Sequence, residues 1–154
     1  MASIHKEILI DAPAEHIWDA IRDVGAIHTR LAQQFVLDTR LDGDSRLVTF
    51  AGGAVVRERI VDVDDRARRL AYSVVEWRAT HHNASIQVFP DGHDRSRLVW
   101  IADLLPDDLA DLVGGMMEQG CAAMKRTLDA SRADVSARSV SEKREHAPRA
   151  GVRD

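Results

Sequence analysis

In the segment "THHNASIQVF", residues His82, Ala84, Ile86 and Val88 fall on one face of an extended chain, and His81, Asn83, Ser85 and Gln87 on the other. The first set is apolar apart from the histidine, so His82 is expected to face inward. An inward imidazole titrates near neutral pH and can pass a proton to or from an enolisable carbon or a leaving hydroxyl. In "VVRERIV", Val56, Glu58 and Ile60 share a face, and Arg57 and Arg59 share the other. Two arginines are cheaper to leave outside than to bury, so Glu58 is the polar residue expected to point in, where it could orient His82 or act as a base. In "LAYSVVEW", Leu70, Tyr72 and Val74 bring Glu76 with them, although Ala71, Val75 and Trp77 compete for the same side. "LVWIADL" is apolar on both faces; Leu98, Trp100, Ala102 and Leu104 are taken as inward. Tyr72 and Trp100 could then hydrogen-bond to and stack on a bound molecule. Two blander readings stay open: His82 as a satisfied structural residue, and Glu58 as the partner of an arginine at a rim.

Other chemistries find no support. Adjacent side chains diverge in a strand, so His81 and His82 do not chelate, and no cluster of cysteine, histidine or aspartate accompanies them; no metal or cofactor is expected. Gly52-Gly53 and Gly114-Gly115 lack the lysine and helix start of a phosphate loop. Ser73, Ser85 and Ser96 lack a nucleophile-elbow setting.

The elements that must position these residues follow from hydrophobic periodicity and turn signals. "SIHKEILI" reads as a strand, with Ile4, Ile8 and Ile10 on one side. "DAPAEHIWDAIRDVG" reads as a helix: Pro13 suits the first turn, Glu15 lies near the positive end, and Ile17, Trp18 and Ile21 form its apolar face. "AIHTRL" adds a short helical turn. Strand-sized segments then alternate with turn signals at Asp42-Gly43, Gly52-Gly53, Asp64-Asp65 and Asp91-Gly92. In the first of them, "QFVLDTRL", Phe35, Leu37 and Leu41 are expected to face one way and Asp38 and Arg40 the other. Pro106 opens a long final helix, expected to end near Ala130. The order is strand, two short helices, six strands, long helix. Six consecutive strands without crossover helices form antiparallel meanders, and the final helix must cover their apolar face.

That helix holds a puzzle. "DLVGGMMEQGCAAM" places Leu112, Val113, Met116, Met117, Cys121 and Met124 on one stripe but carries Gly114, Gly115 and Gly120. Each glycine inside a helix costs about 0.5–1 kcal/mol relative to alanine.

At 154 residues and 45% hydrophobic content, the chain suffices for one domain with one core. No apolar run reaches the roughly 18 residues a membrane span needs, and the N-terminus lacks the layout of a signal peptide. A single cysteine, Cys121, fits a reducing cytosol, so a cytoplasmic location is expected. The net charge of −4 and arginines dispersed among acids give no basic stripe for nucleic acid. Residues 131–154 are almost without apolar content and hold six Lys/Arg and four Asp/Glu; they are expected to form a disordered polar tail after a domain spanning 1–130.

Three stretches, "IHKEILIDAPAEHIWDAIRD", "VVRERIVDVDDRARRLAYSVV" and "IADLLPDDLADLVGGMMEQGCAAMKRTL", make the chain resemble the START-like SRPBCC superfamily, particularly its polyketide cyclase/dehydrase branch. The resemblance implies an α+β helix-grip fold: a curved antiparallel sheet of about seven strands wrapped around a long C-terminal helix, with two short helices after the first strand. It also implies a deep cavity between sheet and helix. The three glycines would thin the helix over that cavity, with Met116, Met117, Gly120 and Met124 lining it; close helix-to-sheet packing without a ligand is the competing reading. His28 and Arg30 lie where the family's cavity mouth tends to be. The partner implied is a small, mostly hydrophobic ligand, held by a monomer or homodimer. Two functions follow: a cyclase/dehydratase-like enzyme in which His82 and Glu58 move protons, or a non-catalytic lipid or hydrophobic-ligand carrier. A third, an adaptor using the sheet edge or the tail, has least support.

Overall fold

A computed structural model describes residues 1–145. Strand β1 (Ala2–Ile10) is followed by helix α1 (Ala14–Arg22) and a π-helical turn at Ile27–Leu31. Six strands come next: β2 (Val36–Asp42), β3 (Ser45–Phe50), β4 (Val55–Asp64), β5 (Arg69–Val75), β6 (His81–Pro90) and β7 (Ser96–Leu105). A 3-10 turn at Asp107–Leu109 leads into helix α2, Ala110–Glu145. All seven strands form one antiparallel sheet in the order β1-β7-β6-β5-β4-β3-β2. This is the helix-grip architecture: β2 to β7 are a plain meander, and β1 closes on β7 at the far edge. Gly43, Gly53 and Gly92 sit at the hairpin turns with φ of +61°, +91° and +81°, where a side chain would be strained.

The core lies between the concave face of the sheet and α2. The buried stripe of α2 runs Val113, Met117, Cys121, Met124 and Leu128, at the three- and four-residue spacing of one helix face. It meets Ile10, Leu98 and Leu104 from the sheet and Ile17 and Ile21 from α1. Helix α1 is fastened to the turn after β4 by Asp65, which accepts from Trp18 Nε1 at 2.9 Å and from Arg22 Nε at 2.8 Å.

Three expectations are corrected here. In β2 the register shifts between Val36 and Asp38, and that bulge inverts the alternation: Val36 and Thr39 are buried, while Leu37 and Leu41 are more than half exposed. Leu112 on α2 is also exposed, displaced from the stripe by the helix's rotation. Finally, α2 does not end near Ala130 but continues to Glu145. Residues 131–145 contain no proline or glycine and are rich in Ala, Arg, Glu and Lys, which favour helix without any core to face. The first turn past Ala130 is tied down: Arg132 Nη1 donates to the carbonyl oxygens of Asp11 at 2.6 Å and Asp94 at 3.1 Å, and Ser131 bonds His16 Nε2 at 2.8 Å. The rest of the expected tail, 146–154, lies outside the described residues.

Candidate functional site

Beneath the first half of α2 the core is hollow. The space has two lobes of about 70 Å³ each, and Phe35, Phe50, Glu58, Tyr72 and Trp100 border both. The outer lobe adds His82, Trp77 and Met117 among its walls; the inner lobe adds Arg46, Leu70, Ile86 and Met124. Lobes of this size hold a few waters or a small organic fragment, well below the 300–1,000 Å³ typical of drug-sized ligand sites.

The walls are apolar except for one patch contributed by β3, β4, β5 and β6. Glu58 and Arg46 are directly opposed in the β3–β4 hairpin, and Arg46 Nε donates to Glu58 Oε2 at 2.7 Å with both side chains buried. Arg46 Nη1 also donates to the Val24 carbonyl oxygen at 3.2 Å, and the guanidinium carbon stands 5.3 Å from the centre of the Tyr72 ring. A buried ion pair of this kind roughly offsets its own desolvation, so it adds little stability over an apolar pair. Glu58 Oε1 has no hydrogen bond from the protein among the described residues.

Tyr72 is buried and accepts from Trp100 Nε1 at 2.9 Å. With its oxygen accepting from the indole, its own O–H remains available as a donor. Burial pushes the phenol well above its ordinary range, and the nearby Glu58 carboxylate pushes it further, so Tyr72 stays protonated.

His82 occupies a gap in the sheet. The β5–β6 ladder stops at Tyr72 and Ala84, and where its next rung would lie the imidazole Nδ1 accepts the Val74 N–H at 3.1 Å. Ser73 Oγ bonds the His82 carbonyl oxygen alongside. Nδ1 is therefore occupied as an acceptor, and the neutral ring carries its proton on Nε2, which has no protein partner among the described residues. Burial pushes the His82 pKa below its ordinary value; neighbouring His81 acts in the same direction and Asp103 against it. The Tyr72 and His82 ring centres are 6.2 Å apart.

The structure thus brings His82, Glu58, Tyr72, Trp100, Met116, Met117, Gly120 and Met124 to the cavity wall. It does not join His82 to Glu58 by a hydrogen bond: Glu58 Oε2 accepts from Arg46, and His82 Nδ1 accepts from Val74. Three expected residues fall elsewhere. Glu76 has φ +57°, which ends β5 and breaks the alternation; its carboxylate is exposed beside Arg57, and Trp77 takes the cavity side. Arg30 reaches back to Asp19 at 2.5 Å and Asp23 at 2.9 Å, away from the cavity, where Ile27 and Leu31 of the same turn face it. His28 is half-buried on that turn and does not line either lobe. The sequence reading missed Arg46, Phe35 and Phe50. Arg46 was signalled by the hairpin turn, since it and Glu58 are equidistant from Gly52.

Of the three helix glycines, only Gly120 has a packing reason, and it is the competing one, close approach of the helix to the sheet. A Cβ there would lie 2.9 Å from Trp100 Cζ3 and 3.3 Å from Phe35 Cε1, whereas at Gly114 it would only reach Ile4 at 4.0 Å and at Gly115 it would meet nothing. Gly120 is where two cavity rings press against the helix backbone.

A sheet gripping a helix over a walled cavity defines a hydrophobic-ligand-binding fold of the START type. The chain belongs to the family described as "Polyketide cyclase / dehydrase and lipid transport", which matches residues 1–135, and with it to the START-like SRPBCC superfamily. Among solved structures it is similar to the protein XoxI from Bacillus cereus, with 21% identity, 85% of this chain and 99% of that chain covered, and a TM-score of 0.74. It is similar to a START superfamily protein from Mycobacterium smegmatis at 11% identity, with 86% and 98% covered and a TM-score of 0.67. A norcoclaurine synthase point mutant from Thalictrum flavum, in complex with a transition state analogue, matches at 20% identity, with 85% and 96% covered and a TM-score of 0.66. These likenesses show the fold. A comparison with curated proteins finds no match. Among the described residues, no helix is long and apolar enough to cross a membrane.

Proposed function

We propose that the protein is a cavity enzyme of the cyclase/dehydratase type, acting on a small, mostly apolar carbonyl compound. The observation that carries this reading is the polar patch itself: two unspent donors, Tyr72 O–H and His82 Nε2–H, and one unspent carboxylate oxygen, Glu58 Oε1, on an otherwise apolar wall. The two donors hold the ligand's carbonyl oxygen. Glu58 Oε1 takes a proton from the adjacent carbon, and the developing oxyanion is stabilised by the donors, each contributing about 10²–10³ in rate. The enolate carbon then attacks a second carbonyl of the same ligand, and Glu58 returns its proton to the new alkoxide. Glu58 next removes the remaining α-proton, the C–O bond to the hydroxyl breaks, and the protonated carboxyl gives that proton to the departing hydroxide, which leaves as water. In this scheme His82 donates a hydrogen bond and does not shuttle protons, because moving a proton through the ring requires releasing Val74.

The carrier reading keeps one specific support: the polar groups already have protein partners, with Glu58 on Arg46 and His82 Nδ1 on the Val74 N–H. The family description covers both cyclase and transport roles. Native mass spectrometry of the purified protein, followed by incubation of the ligand recovered, separates them. The enzyme reading expects conversion of that ligand with loss of water, and a drop of roughly 10²-fold or more in Glu58→Gln with binding retained. Recovery of the ligand unchanged supports the carrier.

A further inference from the structure

The two lobes share Trp100, and its ring is fixed from both sides. One edge rests against the helix backbone at Gly120, where even a methyl group would come within 2.9 Å of Cζ3. The indole N–H is held by the Tyr72 oxygen at 2.9 Å. Phe35 lies against the same glycine and packs edge-to-face on Phe50 with ring centres 5.3 Å apart, closing the gap beside the indole. The inner lobe behind the ring is lined by Leu31, Leu70, Ile86 and Met124 and is as large as the outer one, about 70 Å³, so the space is divided rather than filled. The ring is half-buried, unlike its strand neighbours Leu98 and Ala102, and it lines both lobes.

We infer that Trp100 is a specificity-determining partition: it stops a ligand seated against Tyr72 and His82 at the end of the outer lobe, and so sets the chain length the protein accepts. The inference rests on the cavity reading above and adds a size limit to it. Short carbonyl compounds fit in front of the ring; longer ones need the inner lobe, on the other side of the indole. Gly120 is the second half of the device. An alanine there has no room beside the ring and pushes the indole toward the outer lobe, shortening the accepted ligand.

The test is calorimetric titration of the full-length protein with straight-chain methyl ketones from butanone to undecanone. Wild type is expected to gain affinity with each added methylene up to a break, beyond which affinity stops rising, because apolar surface adds to binding only while there is wall to receive it. Trp100→Leu should move the break to longer chains and bind undecanone at least about tenfold more tightly than wild type does. Gly120→Ala should move it to shorter chains. Should Trp100→Leu fail to fold, Trp100→Phe, which also lacks the indole's outer ring, is read by the same series. An unmoved break in the tryptophan variants overturns the partition and leaves the cavity reading standing. No ketone binding by any of these proteins overturns both.

Discussion

The space between sheet and α2 has two ends, and they are built on opposite rules. At the Leu128 end the helix stripe meets Ile10, Ile17 and Leu98, all with no exposed surface, and the packing is solid. At the Met117 end the same stripe faces a hollow with a buried ion pair, a phenol and an imidazole on its wall. The first end follows the rule for stability, burying apolar surface at about 25 cal/mol per Å². The second departs from it: an unfilled volume forfeits contacts, and buried charge contributes little to stability. A fold that accepts both departures in one place, while packing the other end fully, separates its stable end from its binding end along a single helix.

Breaking the ion pair from one side should have the largest effect. Arg46→Leu leaves Glu58 buried and unpaired and is expected to destabilise by about 3–5 kcal/mol in denaturant melts. The double variant Arg46→Leu/Glu58→Leu should return to near wild-type stability, because the pair as a whole adds little. A double variant as unstable as the single one would mean that the pair holds the hollow end together. Next, Leu128→Ala should cost about 2–5 kcal/mol, the range for a fully buried leucine. Met117→Ala should cost clearly less, since part of its surface already faces space; equal costs would erase the distinction between the two ends.

The smallest effect is electrostatic. Burial holds the folded-state pKa of His82 below its ordinary value of about 6.5, so the unfolded chain takes up that proton first as pH falls. Its contribution is fully present above pH ~6.5 and is lost as pH falls through the folded pKa. An NMR titration of the ring should show the lowered midpoint with Nδ1 bonded to Val74, and stability should decline across the same window. A midpoint at the ordinary value would place the ring in water, and one above it would mean that a carboxylate such as Asp103 outweighs burial.

Much of the fold was legible because local chemistry and tertiary structure agree. The glycines at 43, 53 and 92 supply the left-handed conformations the hairpins need, and the alternation in β4, β6 and β7 matches the buried faces. The misreadings in β2 and at Glu76 share one cause: alternation holds only while the backbone is regular. The bulge at Val36/Asp38 inverted β2, and the positive φ at Glu76 turned an expected cavity residue into a surface one. Arg46 escaped because charge argues for exposure, and only its register opposite Glu58 reveals that it can be buried. The continuation of α2 past Ala130 escaped because periodicity detects a packed face, and that segment beyond Arg132 has none; from Ala133 to Arg144 the side chains are exposed on all sides. Gly114 and Gly115 retain no explanation in the packing around them.

The central claim is that the hollow end recognises a carbonyl oxygen through Tyr72. Affinities of wild type and Tyr72→Phe for one methyl ketone and for the hydrocarbon of matched shape test it most directly. Removing a single donor of about 1 kcal/mol should weaken ketone binding roughly fivefold and leave the hydrocarbon unchanged. An equal loss for both ligands, or none for either, would contradict the account.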